Sequence, residues 1–87
     1  MAKILTTARQ ILANNIVYFR VKNGWLQEKF AELLGTSSAY VSEIENAKRN
    51  ISIDYIDNIS NIFKIEPREL LANRKPVEFR RISRGKR

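Results

Sequence analysis

Ser37, Ser38, Ala39, Ser42 and Glu43 fall in one short stretch that carries polar chemistry and no bulky apolar group. Hydroxyls donate and accept, so they tolerate several bases. A carboxylate can accept from a cytosine amino group, and an alanine methyl can touch the thymine methyl. On one face of a helix, these residues suit entry into the major groove of duplex DNA. The face has no Arg, Asn or Gln placed for a bidentate base contact, so DNA shape and deformability are expected to carry part of any specificity. Catalysis finds less support. The chain has no His and no Cys, which removes the usual general base, the thiolate nucleophile and the commonest metal ligands. The remaining Ser, Asp and Glu form no supporting constellation. No enzyme, cofactor or metal site is expected.

Those residues need a frame, and the stretch 27–46, QEKFAELLGTSSAYVSEIEN, supplies it. It reads as two short helices, 27–34 and 37–46, joined by a turn at Gly35. Phe30, Ala31, Leu33 and Leu34 form one apolar stripe and Val41 and Ile44 another, both requiring burial. Ala31 is small enough for close helix approach. Gly35 suits the left-handed conformation that ends a helix.

Before this pair, a first helix is expected to begin near residues 2–6, or later with Thr6 or Thr7 as its cap, and to run to about Lys22. Its apolar face is Ala8, Ile11, Leu12, Ile16 and Phe19, and Asn23-Gly24 stops it. After the loop AKRNIS, Ser52 reads as an N-cap, with Asp54 in the first turn of a helix over 53–63. Its apolar set is Ile53, Ile56, Ile59, Ile62 and Phe63. Pro67 suits the start of a fifth, short helix ending near Leu71 or Ala72. The expectation is an all-α, five-helix domain over 1–72 and a basic extension over 73–87.

The chain has 87 residues and a net charge of +7. Residues 1–71 hold nine Lys or Arg and eight Asp or Glu, while 72–87 hold seven and one. The domain is therefore near neutral, and the excess charge lies in the tail. No apolar run approaches a membrane span, and the N-terminus lacks the apolar region of a signal peptide. A cytoplasmic protein with no membrane partner is expected.

From Ile16 to Leu71 the chain resembles the lambda-repressor-like (XRE) family of phage repressors and Cro proteins. The matching positions are Ile16, Phe19, Arg20 and Gly24, then Gln27-Glu28, Phe30-Ala31 and Leu34-Gly35. They continue through Tyr40-Val41-Ser42, Ile44-Glu45, Lys48-Arg49-Asn50 and 66–71, without insertion. The loop NAKRNISI is most similar to restriction–modification controller proteins, small dimers that regulate their own operon. Two positions depart from the family pattern. Leu26 stands where Thr or Ser usually caps the second helix, a loss of about 1 kcal/mol if nothing replaces it. Trp25 stands where a small aliphatic residue is usual, and must pack under the turn or sit exposed.

The resemblance implies that Gln27 contacts a phosphate and braces the recognition helix. It also implies that Arg20 and Glu45 form a partly buried structural ion pair. Ser37 is placed near the DNA backbone, with Ser38, Ala39, Ser42 and Glu43 toward the bases. Glu43 is open between a base contact and a surface salt bridge with a residue such as Lys48. Tyr40 is open between packing on the second helix and a phosphate contact. Lys48, Arg49 and Asn50 are expected near phosphates. Ile65 and Leu70 are expected in the core, and Leu71, Val77, Phe79 and Ile82 at a dimer interface. The basic tail is open between a DNA-contacting arm, a solvated tail and a protein-binding extension. The expected function is that of a homodimeric, sequence-specific transcriptional regulator on a palindromic operator in double-stranded DNA. The alternatives are an antitoxin and a non-catalytic protein-binding adaptor.

Overall fold

A computed structural model describes residues 7–77. They form α1 (Ala8–Lys22), α2 (Gln27–Leu34), α3 (Ser38–Glu45) and α4 (Ile53–Phe63), followed by a 3₁₀ turn over Pro67–Leu71. Four α-helices, not five, are thus present among the described residues. The expected fifth helix is too short and too constrained to be one. Pro67 opens it, the Glu69 N–H bonds only three residues back to the Glu66 carbonyl, and the Leu70 carbonyl is taken by the Asn15 side chain.

Local chemistry sets the helix boundaries. The Thr7 Oγ1 accepts from the Gln10 N–H at 3.1 Å while the Gln10 side chain accepts from the Thr7 N–H, a capping box that starts α1 at its late alternative. Ser37 and Ser52 cap α3 and α4 through the Tyr40 and Tyr55 amides, each at 3.1 Å. Leu26 gives α2 no side-chain cap. Gly35 ends α2 at φ 78°. Ala47 and Lys64 also adopt positive φ, at 61° and 60°, without being glycine. A residue with a side chain adopts that conformation at a cost of roughly 1–2 kcal/mol.

The core joins Leu12, Ile16 and Phe19 of α1 to Phe30, Ala31, Val41, Ile44, Ile56, Ile59, Phe63 and Leu70. Trp25 resolves its two options by packing: its ring lies stacked on Phe63 at 5.8 Å and Phe30 at 6.4 Å. Phe30 and Phe63 are themselves stacked at 5.0 Å. Such pairs add about 0.5–1.5 kcal/mol each beyond the area buried. The bulky residue in the turn thus wedges α2 against α4.

Three apolar expectations need correction. Leu33 is 42% exposed and Ile53 is 73% exposed, and Ala8 is exposed at the first turn of α1. Phe30, Ala31 and Leu34 centre the buried arc of α2, and Leu33 lies roughly 110° away from that centre at 100° per residue. Ile53 is the first residue of α4, and the bundle leaves it uncovered.

In exchange α1 buries two amides. Asn15, fully buried, donates to the carbonyls of Leu70 (2.7 Å) and Ala72 (2.8 Å) and accepts from Arg74 (2.8 Å). Asn14 donates to the Lys75 carbonyl and accepts from the Val77 N–H. The pair binds the extended segment 72–77 along α1. Arg74 completes the anchor by lying over the rings of Tyr18 and Phe19 and pairing with Glu69. Val77 is half-buried at the end of this segment. Phe79, Ile82 and the rest of the basic tail lie outside the described residues.

Candidate nucleic-acid interface

The position of α3 is fixed from beneath. Val41 and Ile44 enter the core, and Glu45 follows them in on the same side, 3% exposed. A carboxylate in that place needs partners. Arg20, fully buried on α1, supplies a forked contact: Nε to Oε2 at 2.6 Å and Nη2 to Oε1 at 3.0 Å. The remaining fork nitrogen of Arg20 donates to the Trp25 carbonyl at 2.9 Å. Gln27, at the first position of α2, donates Nε2 to Glu45 Oε1 at 2.9 Å. Among the described residues no buried side-chain polar atom is left without a partner. One carboxylate therefore ties α1, the turn before α2, α2 and α3 into a single unit.

This arrangement constrains what Gln27 can do. Its amide nitrogen has two N–H groups, and Glu45 uses one. The second remains a donor on a side chain that is half-exposed.

The opposite side of α3 is the polar one. Ser38 and Ala39 are exposed, and Ser42 and Glu43 are partly exposed. Ser37, also exposed, spends one acceptor site on capping the helix and keeps its O–H to donate. Asn46, one turn beyond Ser42, is exposed on the same side. It was not singled out from sequence because its position reads as a helix end, and its amide does fold back to the Ser42 carbonyl at 2.8 Å.

Tyr40 packs on α4 through its ring. Its ring meets Tyr55 edge-on at 6.2 Å, and the Arg49 guanidinium lies over it at 5.1 Å. Burial, with Tyr40 nearby, raises the Tyr55 hydroxyl above the ordinary phenol value. Glu43 does form a surface salt bridge, but to Arg49 Nε at 2.7 Å and not to Lys48. The left-handed Ala47 reverses the chain, so that the Lys48 N–H donates to the Glu43 carbonyl at 2.9 Å and Arg49 is the side chain that comes back. Lys48 is exposed. Asn50 accepts from Arg9, which fastens the loop to α1. In the sequence Arg9 carries no local signal of this contact, which joins residues 41 apart.

Beside this loop lies a shallow groove of about 430 Å³. It is lined by Leu12, Ile51, Ile53, Ile56 and Leu71 together with Arg49 and Asn50. Among the described residues, no helix is long and apolar enough to cross a membrane, and no group of acidic residues is gathered to hold a metal ion.

Comparison with known proteins places this geometry. The helix-turn-helix family HTH_3 matches residues 16–70. The chain is 35% identical over 63 residues to a hypothetical transcription factor of Neisseria meningitidis, covering 72% of this chain and 59% of that one. It is 38% identical over 50 residues to the control protein C.BamHI of Bacillus amyloliquefaciens, covering 58% and 62%. The chain thus spans about three fifths of the length of these relatives. Among solved structures, the hypothetical transcription factor NHTF from Neisseria superposes with a TM-score of 0.75 at 31% identity, over 84% of this chain and 86% of that one. The restriction–modification controller protein C.AhdI of Aeromonas hydrophila superposes with a TM-score of 0.65 at 33% identity, over 70% and 88%. The chain belongs to the XRE-type helix-turn-helix family of DNA-binding transcriptional regulators.

Proposed function

We propose that the chain binds an operator in double-stranded DNA as a homodimer, with α3 in the major groove, and regulates transcription from it in the cytoplasm without catalysing a reaction. The observation that carries this reading is the asymmetry of α3. Its inner side is locked by the buried Glu45–Arg20–Gln27 network, and its outer side presents Ser38, Ala39, Ser42 and Glu43. A groove reader must be rigid where it meets its own domain and small and polar where it meets bases. In this arrangement Ser37, Tyr40, Lys48, Arg49, Asn50 and the second N–H of Gln27 lie toward the phosphates, and set position and salt dependence.

The groove beside the loop supports pairing of two copies. Its exposed Ile53 and Leu71 are apolar surface that the bundle does not cover, and Arg49 and Asn50 line the same groove. A second copy seated there brings two such loops side by side, as two half-sites about one helical turn apart require. Val77, Phe79 and Ile82 are assigned to the same pairing of copies, and the tail to a basic arm or a contact for a protein partner. Likeness to C.BamHI and C.AhdI favours a controller role within a restriction–modification operon over an antitoxin or an adaptor.

Selection of bound sites from random duplex DNA by the full chain tests the reading. Two related half-sites, centred roughly 10 base pairs or a multiple of that apart, are the expected result. A pool that shows no enriched sequence contradicts it.

A further inference from the structure

Glu43 stands on the outer side of α3, among the side chains assigned to base edges, yet it is already engaged. Arg49 holds it at 2.7 Å, and the same guanidinium rests on the Tyr40 ring. The backbone is built for this return: Ala47 is left-handed, and the Lys48 N–H is bonded to the Glu43 carbonyl. Asn50, on the far side of Arg49, is fastened to α1 by Arg9. The loop is therefore held at both ends, with its middle cation folded over the acid. Both side chains remain about half exposed, Arg49 at 49% and Glu43 at 45%, so the pair is wet and can exchange partners.

We propose that Glu43 and Arg49 are an exchangeable latch that sets DNA specificity. In the free protein they satisfy each other. On DNA, Arg49 passes to a backbone phosphate, and Glu43 is released to accept from an exocyclic amino group on a base edge in the major groove. The idea rests on the reading of α3 as the groove element. Its logic is electrostatic. A carboxylate left alone beside phosphates is repelled by them. A cytosine or adenine at the facing position supplies an amino donor that replaces the lost guanidinium. A guanine or thymine presents a carbonyl there, and two acceptors then face each other. Opening the latch thus weakens binding to every sequence, and only sites with the donor recover the loss. The near-neutral domain gives this weight, because no surplus of positive charge is available to mask it.

The size of the effect is that of an exposed ion pair, about two- to fivefold in affinity. The test is a double-mutant cycle on the full chain with Glu43→Ala, Arg49→Ala and both. Binding is read by fluorescence anisotropy on the selected duplex and on a random duplex across salt. On random DNA, Glu43→Ala is expected to strengthen binding about two- to fivefold more when Arg49 is present than when Arg49→Ala accompanies it. On the selected duplex Glu43→Ala weakens binding, so the preference ratio falls. Arg49→Ala makes the log–log salt slope shallower by about 0.9, the loss of one phosphate contact. Strictly additive effects on random DNA, or an unchanged salt slope, would overturn the latch while leaving the groove reading intact. A wild-type chain that binds no duplex overturns that reading and the latch with it.

Discussion

Gln27 and Glu45 meet across the turn of the helix-turn-helix, with the Gln27 amide 2.9 Å from Glu45 Oε1 and the same oxygen 3.0 Å from Arg20 Nη2. The first residue of α2 and the last of α3 are thereby joined through one buried carboxylate. The orientation of α3 then depends on a buried ion pair.

That dependence separates two substitutions. Arg20→Ala leaves Glu45 buried without its cation, and a loss of about 3–5 kcal/mol in unfolding free energy is expected from urea titration. Gln27→Ala removes one half-exposed bond and is expected to lose only about 1 kcal/mol. Its operator affinity should nevertheless drop, because the donor proposed for a phosphate goes with it. Equal losses of stability in the two variants would argue against the central place given to the Arg20–Glu45 pair.

The segment 72–77 stays on α1 because Asn15 takes two carbonyls and the Arg74 guanidinium. Asn15→Leu keeps the volume and removes every partner. The variant is expected to be less stable by about 2–3 kcal/mol, and the Val77 N–H, held by Asn14, should exchange with solvent much faster than in the wild type. Unchanged exchange at Val77 would contradict the anchor.

Alkaline conditions act on Tyr55. Its folded value lies above the ordinary 10.0 through burial first and Tyr40 second. A raised value in the folded state means that the contribution is complete below the unfolded value and is lost as pH climbs through the folded one. Urea midpoints from about pH 8 to about pH 11 should therefore fall less steeply in Tyr55→Phe than in the wild type. Parallel curves would count against the assignment.

Much of the frame could be read from residue types alone. The serine caps at Ser37 and Ser52, the stop at Gly35 and the apolar repeats of α1 and α4 each follow from one local rule. What could not be read depends on contacts distant in sequence. Leu33 and Ile53 satisfy helical spacing, yet whether the bundle covers them is decided by its width. Ala47 and Lys64 carry no mark of a left-handed backbone, because the surrounding fold imposes it. Arg49 rather than Lys48 reaches Glu43 for that same reason. Two adjacent amides, Asn14 and Asn15, inside an otherwise apolar repeat are a signal that a buried polar network awaits partners. Those partners lie 55–63 residues away.

On the proposed function, the outer side of α3 reads sequence. Ser38→Phe and Ser42→Phe place a bulky ring on that side without touching Val41, Ile44 or Glu45. A chain truncated after Val77 removes the basic tail while keeping the 72–77 anchor. Operator and random-duplex affinities of these three variants, measured side by side, decide whether it does. Each phenylalanine is expected to erase most of the operator preference while random-duplex affinity stays within about threefold, and the truncation to lower both affinities by a similar factor. Operator preference that survives both phenylalanines and disappears only with the tail would contradict it.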